Sequence, residues 1–163
     1  MPRTRPNIVI TGTPGVGKSS HSLLLSESTG LNLVDVNQIV KDNKFTEEYD
    51  EALQTWVVDE DRLLDEIEPQ LEQGGNVIDW HVCDLFPERL IDLVVVLRCE
   101  NEAKLQENLD AEIMQVVLDD AREGYDENIV VELRSDSSDD IDTNIERITQ
   151  WYENWQKDHP EGV

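Results

Sequence analysis

The segment GTPGVGKS, from Gly12 to Ser19, restricts what this chain can fold into more than any other feature. It matches the pattern G-x-x-x-x-G-K-[ST], whose glycines let backbone N–H groups approach an anion closely. The apolar run from Ile8 to Ile10 is typical of a buried parallel strand, and residues 17–28 are typical of a helix. A helix that begins at such a loop directs its positive dipole end at bound phosphate. Because both flanks are present, we predict a nucleoside triphosphate site rather than a chance match in a glycine-rich turn.

The polar residues of this phosphate loop have distinct expected tasks. The side chain of Lys18 is expected to reach the terminal phosphates, and the hydroxyl of Ser19 is expected to bind Mg²⁺. The loop residues predicted to contact ATP are Gly12, Thr13, Pro14, Gly15, Val16, Gly17, Lys18 and Ser19. Mg²⁺ together with ATP is therefore the expected cofactor.

The chain is strongly acidic. Its 163 residues include 37 Asp and Glu against 13 Lys and Arg, for a net charge of −24. Such a surface repels phosphate backbones, so strong direct binding of nucleic acid is not expected. A strongly basic protein is a compatible partner, although a solvated acidic surface that only aids solubility explains the charge equally well. The stretch from residue 1 to residue 26 is an exception, because it contains Arg3, Arg5 and Lys18 and no acidic residue.

Strand-like apolar runs alternate with helical patterns along the chain. The predicted strands are residues 7–11, 31–35, 76–80, 93–99 and 128–133, and the predicted helices are residues 17–28, 59–73, 105–123 and 139–157. This alternation predicts an α/β fold with a five-stranded parallel sheet flanked by helices. The length fits one phosphate-loop domain over residues 1–163. No apolar run approaches the ~18 residues of a membrane span, so no membrane association is expected.

Residues 37–55 differ from the rest, because they are polar, lack Gly and Pro, and show weak periodicity. We expect a small helical insertion that stands off the sheet. In phosphate-loop kinases the segment after the second strand often clamps the phosphate acceptor. A simple helical connection on the surface is the alternative that the pattern leaves open.

Three polar residues lie at the end of the third predicted strand or shortly after it. Asp79 ends that strand, at the edge of the sheet where ligands bind in open α/β folds, and is expected to hold Mg²⁺ through water. His81 lies two residues further on and would orient water or the acceptor, unless it is a buried structural histidine. Arg89 suits bidentate binding of phosphate, and a surface salt bridge is its alternative.

Several segments together resemble one family, that of adenylate kinase isoenzyme 6. The segments are NIVITGTPGVGKSS, EEYDEA, VVDEDRLLDEIEPQLEQGG, VIDWHVCDLFPERLIDLVVVLRC, ENLDAEIM and NIVVEL, which span nearly the whole chain. The resemblance implies an adenylate kinase fold with a core, a nucleoside-monophosphate domain and a small lid. It also implies magnesium-dependent adenylate kinase and ATPase activity, with ATP, ADP and AMP as ligands. Finally, it implies a role in maturation of the small (40S) ribosomal subunit, in nucleus and cytoplasm, through a basic ribosomal protein of the pre-40S platform.

The resemblance assigns roles residue by residue. The ATP-phosphate contacts of the family are matched here by Gly15, Gly17, Lys18, Ser19 and Ser20. Its acidic and histidine pair is matched by Asp79 and His81, and Arg89 corresponds to an arginine used on the AMP phosphate. The position where such kinases cover the adenine is occupied by Ser135 and Asp136. Residues 35–58 match the monophosphate-binding segment, in which only Lys41 and Lys44 are basic. Lys41 is therefore the further candidate for binding AMP.

One departure from the family is large. The strand that ends in LRC passes into the next helix with hardly a turn, near residues 102–103, where the family has an arginine-bearing lid. Either the protein has lost its lid, or the lid exists and its residues are absent from this sequence. We favour the second explanation, because lids are mobile segments. A true deletion should impair phosphoryl transfer, which depends on positioning and charge neutralisation.

Two functions of different classes follow from these features. The first is an enzyme that transfers the γ-phosphoryl group of ATP to AMP and also hydrolyses ATP. The second is an assembly factor whose nucleotide cycle times the release of a basic ribosomal protein, with little kinase flux. A kinase requires basic residues in the acceptor segment, and the small number of them there leaves both functions open.

Overall fold

A computed structural model of the chain describes residues 4–12, 18–43, 46–50, 55–58, 60–80, 86–98, 119, 121–126, 128–134 and 138–162. The strands are β1 (Asn7–Gly12), β2 (Asn32–Asp35), β3 (Thr46–Asp50), β4 (Thr55–Val58), β5 (Asn76–Asp79), β6 (Leu93–Arg98) and β7 (Val130–Arg134). The helices are α1 (Lys18–Thr29), α2 (Val36–Asn43), α3 (Glu60–Gln73), a 3₁₀ turn at Glu88–Leu90, and α4 (Ser138–Asp158). Residues 121–124 are also helical.

Five of the strands form one parallel sheet in the order β2-β5-β1-β6-β7. The predicted five-stranded parallel sheet is therefore confirmed. The central strands β1 and β6 could be recognised because a parallel strand covered on both faces is a continuous apolar run. All five strands run in the same direction, so their carboxyl ends meet at one edge, which receives the end of β1 and the end of β5.

Helices cover both faces of the sheet and divide the core in two. Ile8 and Ile10 of β1 belong to the cluster packed against α1 and α4, whereas Val9 belongs to the cluster packed against α2 and α3. These three side chains are completely buried. The alternation follows from strand geometry, because successive side chains point to opposite faces.

The segment between β2 and α3 is only partly helical. Its first part forms α2, as expected, but β3 and β4 pair as an antiparallel hairpin, so the expectation of a helical insertion over residues 37–55 is wrong for residues 46–50 and for Thr55. Tyr49 of β3 lies opposite Trp56 of β4 in this hairpin. Aromatic and β-branched residues favour a strand, and Thr55, Trp56, Val57 and Val58 supply four in succession.

Glycine ends α1 and α3 in the same way. Gly30 follows α1 with a φ of 76°, and Gly74 follows α3 with a φ of 79°. This left-handed conformation is strained for residues with a Cβ and closes a helix by a backbone hydrogen bond, which here joins Gly30 N–H to Ser26 O at 2.8 Å. Both turns return the chain to the amino edge of the sheet, where β2 and β5 begin.

Two buried asparagines join the elements at that amino edge. The amide Nδ2 of Asn7 donates to the carbonyl oxygens of Leu71 and Leu90, each at 2.7 Å. The amide Nδ2 of Asn76 donates to Asn7 Oδ1 at 2.8 Å and to Gln70 O at 3.0 Å. Both asparagines are completely buried. We call this arrangement the amino-edge network; it connects β1, β5, the end of α3 and the 3₁₀ turn.

The expected lid lies outside the described residues, and so does most of the helix predicted over residues 105–123. Of the described helices, none combines the length and the apolar character that crossing a membrane requires.

Candidate functional site

The carboxyl edge of the sheet brings Asp79 beside the start of the phosphate loop. Asp79 ends β5 and is the register partner of Ile10 on β1, two residues before Gly12. The backbone N–H of Trp80 continues this contact by donating to Ile10 O at 3.4 Å. Asp79 is only 6% exposed, and strand alternation places it on the face of Val77, which packs in the α1–α4 cluster. The carboxylate therefore lies on the side of the sheet that carries α1.

The two ends of the phosphate loop are fixed by regular elements. Gly12 is the last residue of β1, and Lys18 is the first residue of α1. Residues 13–17 lie outside the described part of the chain, as do the side chains of Lys18 and Ser19. Ser20 is exposed in the first turn of α1. This strand, loop and helix order is the context that the phosphate-loop pattern requires.

A buried hydrogen bond holds α1 against α4 one turn after Lys18. The Nδ2 group of Asn144 on α4 lies 3.1 Å from Nε2 of His21 on α1. Because an amide nitrogen only donates, the ring nitrogen accepts, and the ring proton is then on Nδ1. His21 is completely buried and Asn144 is 4% exposed. The contact fixes α1, and with it the helix end that follows the phosphate loop.

The oxygen donors at this edge fit Mg²⁺. Magnesium in phosphate-loop enzymes is held by one or two protein oxygens together with phosphate and water. The buried carboxylate of Asp79 and the position of Ser19 in the first turn of α1 lie on the same side of the sheet. In the described part of the chain, no three His, Cys, Asp or Glu side chains group as a metal site.

Two polar residues at this edge have no place in the pattern of the phosphate loop. The hydroxyl of Thr11 is completely buried and has no hydrogen bond, which is rare for a buried polar atom. Alternation places it on the face of Val9, where α2 begins. Asp35 ends β2 beside Asp79, and its Oδ1 accepts from Gln38 N at 3.3 Å, so it caps α2. In the sequence, Asp35 could have been found from its position at the end of a predicted strand. Thr11 could have been found from its position directly before Gly12.

Several predicted site residues fall outside the described part of the chain. These are His81, Ser135 and Asp136, together with the side chain of Lys41 on α2. Their assigned roles stay predictions.

The structure does not bring Arg89 together with Asp79. Arg89 lies in the 3₁₀ turn, next to Leu90, whose carbonyl belongs to the amino-edge network. Its Nη2 atom lies 3.2 Å from Glu68 Oε1 and 3.9 Å from Glu72 Oε1, both on the second half of α3. The amino edge of the sheet, where Arg89 lies, is separated from Asp79 by the length of β5, which is roughly 10 Å at 3.3 Å per residue. These contacts match the surface salt bridge that was the alternative for Arg89, and its AMP-binding role stays a prediction.

Replacing Arg89 by alanine separates these two roles. We expect Arg89→Ala to change the free energy of unfolding by less than about 1 kcal/mol, because its side chain is 63% exposed and exposed ion pairs contribute little. If the salt bridge is its only role, the KM for AMP in an adenylate kinase assay should be unchanged. A KM for AMP raised about tenfold or more, with stability intact, would instead support the predicted contact with the acceptor phosphate.

The chain is similar to known families over most of its length. An AAA domain model matches residues 8–115. The chain is 50% identical to adenylate kinase isoenzyme 6 homolog HBR1 of Candida albicans, over 99% of this chain and 74% of that protein. It is 49% identical to adenylate kinase isoenzyme 6 homolog FAP7 of Saccharomyces cerevisiae, over 99% of this chain and 89% of that protein. It is 46% identical to the homolog of Schizosaccharomyces pombe, over 96% and 97%.

Solved structures agree on the fold. Shikimate kinase from Aquifex aeolicus superposes with a TM-score of 0.60 at 16% identity, over 91% of this chain and 96% of that one. A gluconokinase from Sinorhizobium meliloti gives a TM-score of 0.56 at 16% identity, over 94% and 97%. At this identity the likeness shows a phosphate-loop kinase fold alone.

The alignment with the Candida protein also bears on the length of this chain. It runs over 184 residues, whereas this chain has 163, so that relative carries residues that this chain lacks. The fold and the names of the relatives support a nucleotide-binding enzyme of the kinase or ATPase type. The chain is 46–50% identical to these three relatives and covers most of their length. It therefore belongs to the adenylate kinase isoenzyme 6 family.

Proposed function

We propose that this chain is an adenylate kinase and ATPase that uses ATP with Mg²⁺ and acts in maturation of the small ribosomal subunit, in nucleus and cytoplasm. The observation that carries the catalytic part is the position of Asp79, buried at the end of β5 beside the strand that leads into the phosphate loop. The names of the relatives support AMP as the acceptor. The ribosomal part follows only from the resemblance to the family and from the acidic charge of the chain.

In this proposal the γ-phosphoryl group moves in line from ATP to an oxygen of the AMP phosphate, which gives two ADP. The bond to the bridging oxygen of ATP breaks, and the bond to the AMP oxygen forms. Loop N–H groups from Gly12 to Ser20 hold the phosphates, and Lys18 neutralises charge that develops on the transferred group. Ser19, and Asp79 through water, would hold Mg²⁺, which would supply positive charge to offset that of the phosphates.

The remaining predicted residues act on the acceptor and on the base. His81 would position water or the acceptor, and Lys41 or Arg89 would bind the AMP phosphate. Ser135 and Asp136 would cover the adenine. When water takes the place of AMP, the same transfer yields ADP and phosphate, which is the ATPase reaction.

One assay separates the two reactions. The protein is incubated with ATP and Mg²⁺, with and without AMP, and ADP and free phosphate are measured separately. Adenylate kinase activity predicts AMP-dependent ADP formation without phosphate release, and ATPase activity predicts equal amounts of ADP and phosphate without AMP. The absence of both products would contradict the enzymatic proposal.

A second candidate is a nucleotide-switched assembly factor for a basic ribosomal protein, with little kinase flux. Its support is the net charge of −24, because an acidic surface can occupy the RNA-binding face of a basic protein. Closure of the domains over ATP would change the surface presented to that partner. The coupling is reciprocal, so the partner would also change nucleotide affinity.

This candidate predicts a specific pattern of binding to a basic ribosomal protein of the small-subunit platform. We expect nanomolar to micromolar affinity that weakens as salt rises, that differs between ATP and ADP, and that is lost on competition with ribosomal RNA fragments. The measurement is a titration at two salt concentrations with each nucleotide. An affinity indifferent to both salt and nucleotide would contradict the switch and leave a small kinase with an acidic surface.

A further inference from the structure

The α1 helix leaves two leucines outside the core of the protein. It buries Leu25 completely, together with the polar residues His21 and Ser22, whereas Leu23 is 50% and Leu24 is 38% exposed. A surface helix normally turns apolar residues to the core and polar residues to water. Single exposed leucines are common, but here two consecutive leucines face outward while a histidine and a serine face the core. The helix therefore carries apolar surface that the core of this chain does not use.

Leu24 lines a groove between α1 and α4. The groove consists of two adjoining cavities of about 530 Å³ and 400 Å³, which share Ser28, Ile145 and Glu146. On α4 its residues run from Asp142 to Glu153 at helical spacing, so they form one stripe. At 1.5 Å per residue the stripe is roughly 16 Å long, which is about three turns of helix. We call this feature the α1–α4 groove.

The charge of the α1–α4 groove has one sign. Glu27, Asp142, Glu146 and Glu153 surround an apolar strip that contains Leu24 and Ile145, and no Lys, Arg or His is among the described residues that line the groove. A helix with an apolar stripe flanked by Lys or Arg complements such a groove in shape and charge. A second copy of this chain, with a net charge of −24, would place the same acidic rim against itself. Nucleic acid would be repelled for the same reason.

We propose that the α1–α4 groove is a docking site for a basic amphipathic helix of a protein partner. Leu24 and Ile145 would contact the apolar stripe of that helix, and the four carboxylates would pair with its flanking cations. The site deepens the partner-binding part of the proposed function and rests on it only for the basic character of the partner. It does not depend on nucleotide turnover, so loss of the enzymatic proposal would leave it standing.

The first test uses a fluorescent peptide of about 18 residues, built from leucine and lysine at the period of an amphipathic helix. Its affinity is measured by anisotropy for Glu146→Lys/Glu153→Lys and for the matched control Asp65→Lys/Glu123→Lys, which changes the net charge equally at exposed sites outside the groove. We expect at least about a tenfold loss for the groove variant and less than about a twofold loss for the control. Equal losses would mean general attraction to an acidic surface and would overturn the proposal.

The second test removes apolar contact without changing charge. Leu24→Ser should weaken peptide binding about fivefold, whereas Leu33→Ser, at a 40% exposed leucine on β2, should leave binding unchanged. A peptide of the same composition with a scrambled, non-amphipathic order should bind the unmodified protein at least about tenfold more weakly. Unchanged binding of the amphipathic peptide to Leu24→Ser, or equal binding of the two peptides, would overturn the proposal. Because both leucines are exposed, circular dichroism should show both variants folded.

Discussion

Replacement of Lys18 by alanine should abolish both ADP formation and phosphate release. We expect a loss of turnover of at least about a thousandfold, because removal of one charged group aimed at the transferred phosphoryl usually costs 10²- to 10³-fold and Lys18 also aligns the phosphates. The fold should survive. Lys18 is the first residue of α1, where alanine is a good helix former and a positive charge opposes the helix dipole.

Two measurements make this prediction decisive. Turnover of Lys18→Ala is compared with that of Lys157→Ala, which removes an equal charge from the exposed last turn of α4 and should leave activity unchanged. Thermal unfolding is followed with and without ATP and Mg²⁺. The unmodified protein and Lys157→Ala should be stabilised by the nucleotide, and Lys18→Ala should be stabilised much less. A folded Lys18→Ala protein that keeps more than about a tenth of its turnover would contradict the assignment of the phosphate loop.

Asn7→Ala should strongly destabilise the protein while leaving the catalytic edge untouched. Asn7 donates to the carbonyls of Leu71 and Leu90 and accepts from Asn76, all without exposure to water. Alanine would remove three buried hydrogen bonds. Leu71 O would keep the N–H of Gly74 and Asn76 Nδ2 would keep Gln70 O, but Leu90 O would lose the donor from Asn7. At about 1 kcal/mol for each lost hydrogen bond, with about 1–3 kcal/mol for a buried group left unsatisfied, we expect the free energy of unfolding to fall by about 3–5 kcal/mol.

The control for this loss is Asn154→Ala. Asn154 is exposed on α4 and makes one exposed side-chain hydrogen bond, accepted from Gln150 at 3.3 Å. Its removal should change stability by less than about 0.5 kcal/mol. Both variants are unfolded with urea, and the slope of the transition should not change, because the native contacts outside the mutated site are kept. A loss below about 1 kcal/mol for Asn7→Ala would contradict this prediction and would show that water replaces the hydrogen bonds of the Asn7 side chain.

The features that could be predicted from the sequence are those with a short-range pattern. The central strands β1 and β6 are apolar runs, and the position of Asp79 follows from the end of the apolar pair in β5. The hairpin of β3 and β4 was missed because β3 reads TEEYD, in which three of five residues are acidic and no apolar alternation appears. The partner of β3 is β4, with Tyr49 in register with Trp56, and a linear pattern does not contain such a pairing.

Long-range contacts explain the other differences. Arg89 is ten residues from Asp79 along the chain, yet the intervening segment returns to the amino edge, where Arg89 meets Glu68. No local pattern specifies which edge a returning chain reaches. His21 and Asn144 were also missed, because a polar residue inside a helix predicts exposure unless its partner on another helix is known.

The central place of β1 in the sheet has a consequence for synthesis of the chain. Asn7 pairs with Asn76, 69 residues later, and with Asp92, 85 residues later. When the amino terminus leaves the ribosome, the apolar run from Ile8 to Ile10 has no neighbouring strand on either side. At about 5–20 residues per second, roughly 4–15 seconds pass before β5 has been made, and pairing across such separations is slow in itself. During that interval the strand that leads into the phosphate loop is the segment of the nascent chain most in need of a chaperone.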